Sequence, residues 1–354
     1  MKKKTKLIPQ GTLRIKTRDL KAYVREKNSW KKSSVKFPDA LHVSELFKAH
    51  NNFDILVDKK NPEFLKGQQS KDGKTQGARI NVLPDGRKLN SAFSLFGKNL
   101  TIHDETSNIH WDVIYQNPCG TFSYVYTLEK KDKSVKHKYM VVEEFGKNYE
   151  KILKNVLANL TNKKDDLALP VYTLLVTKMR VGNEIYYKAH GHKGLTTLTK
   201  KDITIKESKV TFKYLSKGGV PRKITEDFPK EYIKRLKALL KPLKKNDFVF
   251  VNKKTGHPLK DTDFEKAFKR YCGTAFYPHI VRSYYATQRA HEFLETHKSA
   301  SKKEINSLFL SIAEKLGHKR FVKKKQMWED NYTVTIHHYI QPELVQKLKN
   351  SILK

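Results

Sequence analysis

The sequence predicts an α+β protein, with a β-rich N-terminal domain followed by a mainly α-helical domain that carries a small antiparallel sheet. Three observations predict it. Up to Glu144 the apolar residues fall in short runs rich in β-branched and aromatic types, some separated by turn signals such as Pro84-Asp85-Gly86-Arg87 and Asn117-Pro118. From Phe145 the apolar spacing turns helical. Between Asp202 and Thr225 strand-like runs return around one Gly-Gly turn.

In chain order, no structure is assigned to the first 35 residues. Strands are expected at Phe53–Val57, Ala78–Leu83, Leu100–His103, His110–Tyr115, Thr121–Leu128 and Lys136–Val142, and the polar stretch Lys66–Gly77 reads as a loop. Tyr149, Ile152, Leu153, Val156, Leu157 and Leu160 share one helical face that ends at the polar run Thr161–Asp166. A second helix runs from Pro170 towards Arg180. The domain boundary is placed near residue 145, giving a β-rich domain over 1–144 and a second domain over 145–354. The small sheet comprises Asp202–Lys206, Lys209–Leu215 and Arg222–Thr225, with Ser216-Lys217-Gly218-Gly219 at the tip of its second hairpin. Helices follow at Pro229–Lys241, at Thr262–Tyr271 with Thr262 and Glu265 at capping-box spacing, at His279–Thr296 and at Lys302–Lys315. A last helix is expected to run past Tyr339.

The 354 residues include 72 Lys and Arg against 36 Asp and Glu, a formal net charge of +36. Self-repulsion on that scale works against compaction and is tolerated most readily where a polyanion is the partner. A lysine-rich surface without such a partner is the plain alternative. A membrane surface would favour one basic amphipathic helix, whereas this charge is spread through the whole chain. No apolar run approaches the roughly 20 residues that span a bilayer. The basic start Met1–Lys6 has no apolar stretch behind it. Two cysteines, Cys119 and Cys272, are too few for a disulfide framework or a Cys-rich zinc site. An intracellular protein associated with nucleic acid is expected, with no membrane partner. Only 12 of the 72 cations are Arg, so an Arg inside a motif hints at a planar, bidentate fork.

Five residues of the second half stand in recognisable settings. They are Arg180 in Met-Arg-Val-Gly-Asn-Glu, Lys217 in Phe-Lys-Tyr-Leu-Ser-Lys-Gly-Gly, Arg282 in His-Ile-Val-Arg, His318 in Leu-Gly-His and Tyr339 in Tyr-Ile-Gln-Pro. Two guanidiniums, an ammonium, an imidazole and a phenol are what a metal-free enzyme needs to break a phosphodiester through a tyrosine. Arg180 ends an apolar helix, where it is held rigidly; pairing with Glu184 on a helix surface is the ordinary alternative. Lys217 lies 37 residues later at a turn whose Gly218 and Gly219 let backbone approach DNA closely. His279 and Arg282 are one helical turn apart and face the same phosphate. Gly317 suits a helix stop, and His318 projects just beyond it. The pairs His190/His192 and His337/His338 lack acidic or Cys partners at metal spacing, and no Walker-type loop occurs, so neither metal nor other cofactor is expected.

The segment Met179–Leu198 closely resembles the first signature of type IB DNA topoisomerases, Arg-x-Gly-Asn-Glu-x-Tyr followed by Gly-x-Thr-Thr-Leu. The family's Phe-x-Gly-Lys-x-Gly fits less closely at Lys217, where both glycines follow the lysine, and His279-x-x-Arg282 is the form usual in tyrosine recombinases. The resemblance covers roughly residues 145–354 and implies a small, poxvirus- or bacterial-like enzyme of the tyrosine recombinase/topoisomerase IB fold. In such an enzyme Tyr339 would form a 3′-phosphotyrosyl bond, Lys217 would protonate the leaving 5′ oxygen, and Arg180, Arg282 and His318 would hold the phosphate with His279 as a further donor. It would relax supercoils without ATP or metal, as a monomer clamping double-stranded DNA, and would be found with DNA in the cytoplasm, nucleoid, viral factory or virion.

The family's nucleophile usually follows the histidine by about nine residues, whereas Tyr332 lies 14 and Tyr339 lies 21 residues after His318. Tyr339 is chosen because Tyr-Ile-Gln-Pro resembles the family's Tyr-Ile-x-Pro ending, and the lysine-rich Phe321–Asn331 reads as an insertion. A tyrosine recombinase acting in a synaptic tetramer is the alternative, followed by a non-catalytic architectural protein. Asn183-Glu184, Thr196-Thr197-Leu198 and the β-rich front end favour the topoisomerase.

Overall fold

Backbone pairing in the first part of the chain follows the β-branched runs in some places and ignores them in others. The computed structural model describes residues 8–77, 80–103, 111–117 and 120–351. Met1–Lys6, Cys119, Pro118 and the opening residues of the strands expected from Ala78 and His110 lie outside the described residues. The chain divides into two compact units, Met1–His137 and Lys138–Lys354.

The first unit contains β1 (Leu13–Ile15), β2 (Ala22–Glu26), β3 (Ser29–Lys32), helix α1 (Pro38–Ala49), β4 (Gln68–Gln69), β5 (Thr75–Gln76), β6 (Ile80–Val82), β7 (Lys88–Phe93), β8 (Lys98–Ile102), β9 (Val113–Gln116) and β10 (Phe122–Val125). These strands form sheets in the orders β3-β2-β1-β4-β5, β10-β9-β8 and β6-β7. Val43 and Phe47 of α1 share a core with Leu56, Leu65, Phe93, Leu100 and Val113. The unassigned N-terminus supplies β1 to β3. The expected loop at Lys66–Gly77 holds β4 and β5, polar strands recruited by backbone pairing of Gln69 with Leu13. The expected strand Phe53–Val57 is a 3₁₀ turn, in which the Ile55 and Val57 N–H groups donate to Asn52 O and Asp54 O.

The division between the units falls inside α2 (Leu128–Ala158). The strand expected at Lys136–Val142 lies in this helix. Tyr139, Val142, Phe145, Ile152 and Val156 form one buried helical stripe, and that long period overrides the local β preference of a few residues. The second unit continues with α3 (Ala168–Thr177), α4 (Glu184–His190), β11 (Ile203–Lys206), β12 (Lys209–Ser216), β13 (Val220–Asp227), α5 (Lys230–Leu240), α6 (Asp261–Cys272), α7 (Ile280–Thr296), α8 (Lys302–Leu316), β14 (Lys319–Val322), β15 (Met327–Asp330), α9 (Thr333–His338) and α10 (Pro342–Asn350). Strands β11, β12 and β13 form the expected antiparallel sheet, with Ser216 opposite Val220 around the Lys217 turn. Helix α6 starts at Asp261, so its cap is the Asp263 carboxylate accepting from Lys260 N–H at 2.8 Å, not the Thr262/Glu265 box. Ala286, Ala290, Ile305, Leu308, Ile312 and Leu344 build a core that includes Tyr339. Among the described residues no helix is long and apolar enough to cross a membrane.

The single helix expected past Tyr339 is two helices. Tyr339 caps α9, and Pro342 opens α10, where a missing N–H costs nothing.

Candidate active site

Arg180 is placed by a backbone clasp. Helix α3 ends at Lys178, whose left-handed φ of 57° turns the chain out of the helix. The carbonyls of Arg180 and Val181 then accept from the N–H groups of Leu195 and Thr196 at 2.8 and 2.7 Å. Gly182 and Gly194 touch across this bridge: a Cβ on Gly194 would lie 2.6 Å from Gly182 Cα. The two halves of the Arg-Val-Gly-Asn-Glu … Gly-Leu-Thr-Thr-Leu pattern are therefore one structural unit. Asn183 caps α4 by accepting from Tyr186 N–H at 3.1 Å. Glu184 pairs with Lys188 and His257 and leaves Arg180 to the site.

The half-buried Arg180 reaches the phenol of Tyr339, with Nη2 3.2 Å from Oη. His279 Nε2 lies 3.0 Å from the same oxygen. Arginine has donors only, so Oη accepts from Arg180 and its own hydrogen is left to donate to His279. The Tyr339 side chain is almost wholly buried, with the ring 4.6 Å from that of His318 and the Arg282 guanidinium 5.2 Å from its centroid. Arg282 is fully buried. It donates to Lys178 O at 2.5 Å and Leu316 O at 2.9 Å, and Nη2 lies 3.1 Å from His318 Nε2. His318 Nε2 must then accept, which leaves Nδ1–H to donate to the buried Thr335 hydroxyl at 2.8 Å. Tyr339, Arg180, His279, Arg282 and His318 thus form one connected cluster.

Burial of its guanidinium lowers Arg282 to about 10, against a raising contribution from the Tyr339 phenol, and it stays charged at neutral pH. Burial, then the charges of Arg282, Arg180, Lys138 and Lys217, pushes His279 down to about 3. Burial, then Arg282, Arg180 and Arg222, pushes His318 down to about 2. Both imidazoles are neutral without DNA. Their folded values lie below the ordinary 6.5, so across that window the unfolded chain binds more protons than the folded one. Stability is expected to fall as pH drops from about 6.5 towards about 3, read as a falling unfolding temperature of the DNA-free protein. His279→Gln should flatten that slope; an unchanged slope would mean that other groups set it.

Lys217 is exposed on a three-residue turn in which Gly218 and Gly219 take left-handed φ values of 80° and 75°. Its ammonium lies 5.9 Å over the Tyr186 ring. It lines, with Arg180, His279, Asn183 and Tyr186, a cavity of about 230 Å³. Lys217 therefore shares the cavity with two members of the cluster without bonding to Tyr339.

A family model described as the catalytic core of eukaryotic DNA topoisomerase I matches residues 127–347. The chain belongs to the type IB DNA topoisomerases. A relative, DNA topoisomerase 1B of Acanthamoeba polyphaga mimivirus, is 27% identical over 251 residues, covering 65% of this chain and 73% of its own. Among solved structures, the XerH site-specific recombinase bound to its difH substrate before cleavage is 18% identical, with a TM-score of 0.32, over 48% of this chain and 44% of the recombinase. The post-cleavage complex on palindromic difH is 15% identical, with a TM-score of 0.35, over 79% and 65%. The chain spans less than two thirds of either recombinase chain.

In this topoisomerase the long interval between His318 and Tyr339 has a structural cause. The stretch Phe321–Asn331, read as an insertion, is mostly an antiparallel hairpin of β14 and β15, in register from Lys319 opposite Asp330 to Val322 opposite Met327. Asn331 N–H donates to His318 O at 2.9 Å, so the chain leaves and re-enters at the same point. Counted from Asn331, where the chain re-enters, Tyr339 is eight residues on. Replacing Arg320–Glu329 with an Asn-Gly turn is expected to leave plasmid relaxation intact; loss of relaxation in a folded variant would give the hairpin a part in the reaction. Tyr332 donates to Asn306 at 3.3 Å and packs on Phe309 instead.

Sequence reading missed Lys138 and Tyr139 of α2. The Lys138 ammonium bonds to His338 O and lies 5.6 Å over the Tyr339 ring, while Tyr139 donates to Ile340 O at 2.7 Å. Nothing local marks them, because their partners are about 200 residues away in the chain.

Proposed function

We propose that Tyr339 is the nucleophile of this topoisomerase, on one observation above the others: its Oη is held between the Arg180 guanidinium at 3.2 Å and the neutral His279 Nε2 at 3.0 Å. The scissile phosphate occupies the cavity bordered by Arg180, His279 and Lys217. Tyr339 Oη bonds to phosphorus as its proton passes to His279, whose basicity rises once the phosphate anion offsets the cations around it, and the bond from phosphorus to the 5′ oxygen breaks. Lys217 supplies the proton that this oxygen needs. Arg180 and Arg282 stabilise the charge that builds on the phosphorane, and His318 adds a donor once the phosphate reverses its tautomer. Gly218 and Gly219 allow the turn to enter a groove. The phosphotyrosyl bond keeps the energy of the broken one, so religation by the 5′ hydroxyl is the same sequence reversed and needs no ATP. On this reading residues 1–144 form a DNA-clamp domain and 145–354 the catalytic domain, the enzyme works as a monomer on duplex DNA, and it resides in a DNA-containing compartment of the cell or virus.

The test is covalent trapping on a nicked duplex that loses its short 5′ fragment after cleavage, in EDTA and without ATP, followed by proteolysis and mass mapping. The expected product is the Tyr339 peptide on a 3′ phosphate with a free 5′ hydroxyl opposite. An adduct at Tyr332, or a 5′-linked adduct, overturns the assignment.

A further inference from the structure

The mechanism leaves unexplained how a lysine on an exposed turn is held in the same frame as a buried arginine and histidine. The link is on β13. Arg222 lies five residues after Lys217 and faces Tyr214 across the hairpin. Its Nη1 donates to Glu314 O and its Nη2 to Lys315 O, each at 2.9 Å. These are carbonyls of the last turn of α8, at the negative end of the helix dipole, where Glu314 O also accepts from the Gly317 N–H at 3.0 Å. The next carbonyl, Leu316 O, accepts from Arg282, and His318 follows two residues later. Two guanidiniums thus hold three successive carbonyls of one helix end, one from the Lys217 hairpin and one from the phosphate clamp.

Gly317 lies directly against the Arg222 seat. Its φ of 72° is the left-handed stop expected of a helix end, but a Cβ there would also collide with the Arg222 guanidinium. Lys315 pairs with Glu226 of β13 and reinforces the same seam.

We propose that Arg222 is a positioning residue for strand cleavage: it fixes the β12–β13 hairpin against the end of α8, so that Lys217 and His318 address one phosphate. This rests on the reading of Lys217 as proton donor. Arg222 touches no reacting atom, so it acts through the residues it holds, Lys217 on the hairpin and His318 beyond the helix end, and the part that passes through Lys217 governs proton donation.

The experiment compares single-turnover cleavage of two duplexes, one with the normal 5′ oxygen at the scissile bond and one with sulfur there. A thiolate leaves without being protonated, so a defect in proton donation disappears on sulfur. Lys217→Ala is expected to slow cleavage of the oxygen duplex on the order of 10²-fold or more and to recover on sulfur. Arg222→Ala is expected to lose roughly 10²-fold on oxygen through misplacement of the lysine and to recover likewise. Arg222→Lys, which keeps the charge and loses the fork, should show the same pattern with a smaller loss, and it decides the matter if the alanine variant does not fold. The double variant Lys217→Ala/Arg222→Ala should be little slower than Lys217→Ala alone. Recovery of Lys217→Ala without recovery of the Arg222 variants, or Arg222 variants at wild-type rate on oxygen, overturns the inference. Failure of Lys217→Ala itself to recover removes Lys217 as the donor, and the role of Arg222 falls with it.

Discussion

Tyr339→Phe is expected to abolish plasmid relaxation and covalent capture of DNA, with a loss on the order of 10⁴ or more, while Tyr332→Phe leaves both near wild type. The phenylalanine ring keeps the packing that Tyr339 makes in the α7–α8–α10 core and against His318. Only Oη goes, and with it the acceptor of Arg180 and the donor to His279. The variant should therefore fold and bind DNA, and its failure is chemical. Tyr332 spends its hydroxyl on Asn306. Relaxation that survives Tyr339→Phe and is lost in Tyr332→Phe would exchange the two assignments.

Arg282 carries the second large effect, and in it stability and activity are joined. Its guanidinium serves Lys178 O, Leu316 O and His318 Nε2 at once. Arg282→Ala strands those buried acceptors, each at about 1–3 kcal/mol, and is expected to lower the unfolding temperature measurably. Arg282→Lys restores a charge but not a fork. It is expected to fold and to cleave about 10²–10³-fold more slowly in single turnover, the loss typical of removing one donor to a developing oxyanion. A lysine variant at wild-type rate would place the phosphate clamp elsewhere.

The motif residues were legible because their chemistry is local. Gly182 and Gly194 stand where backbones meet, Asn183 where a helix needs a cap, and Gly317 where a helix stops, and each of these demands a residue type that a sequence displays. The strand expected at Lys136–Val142 failed for the opposite reason. Tyr139, Val141 and Val142 show β preference, but a stripe running from Tyr139 to Val156 decides the helix. The polar strands β4 and β5 were illegible because pairing uses only backbone groups, which every residue owns.

The sequence by itself determined which functional groups this topoisomerase has and their order, because a guanidinium, an imidazole or a phenol is a property of one residue. Tertiary structure alone decided which of them meet. It brought Arg180 to Tyr339 across 159 positions, and it looped out β14 and β15 so that a distant tyrosine stands beside His318. It also brought Lys138 and Arg222 into play. Hydrogen bonds and packing act through a few ångströms of space, and that distance has no fixed relation to separation along the chain.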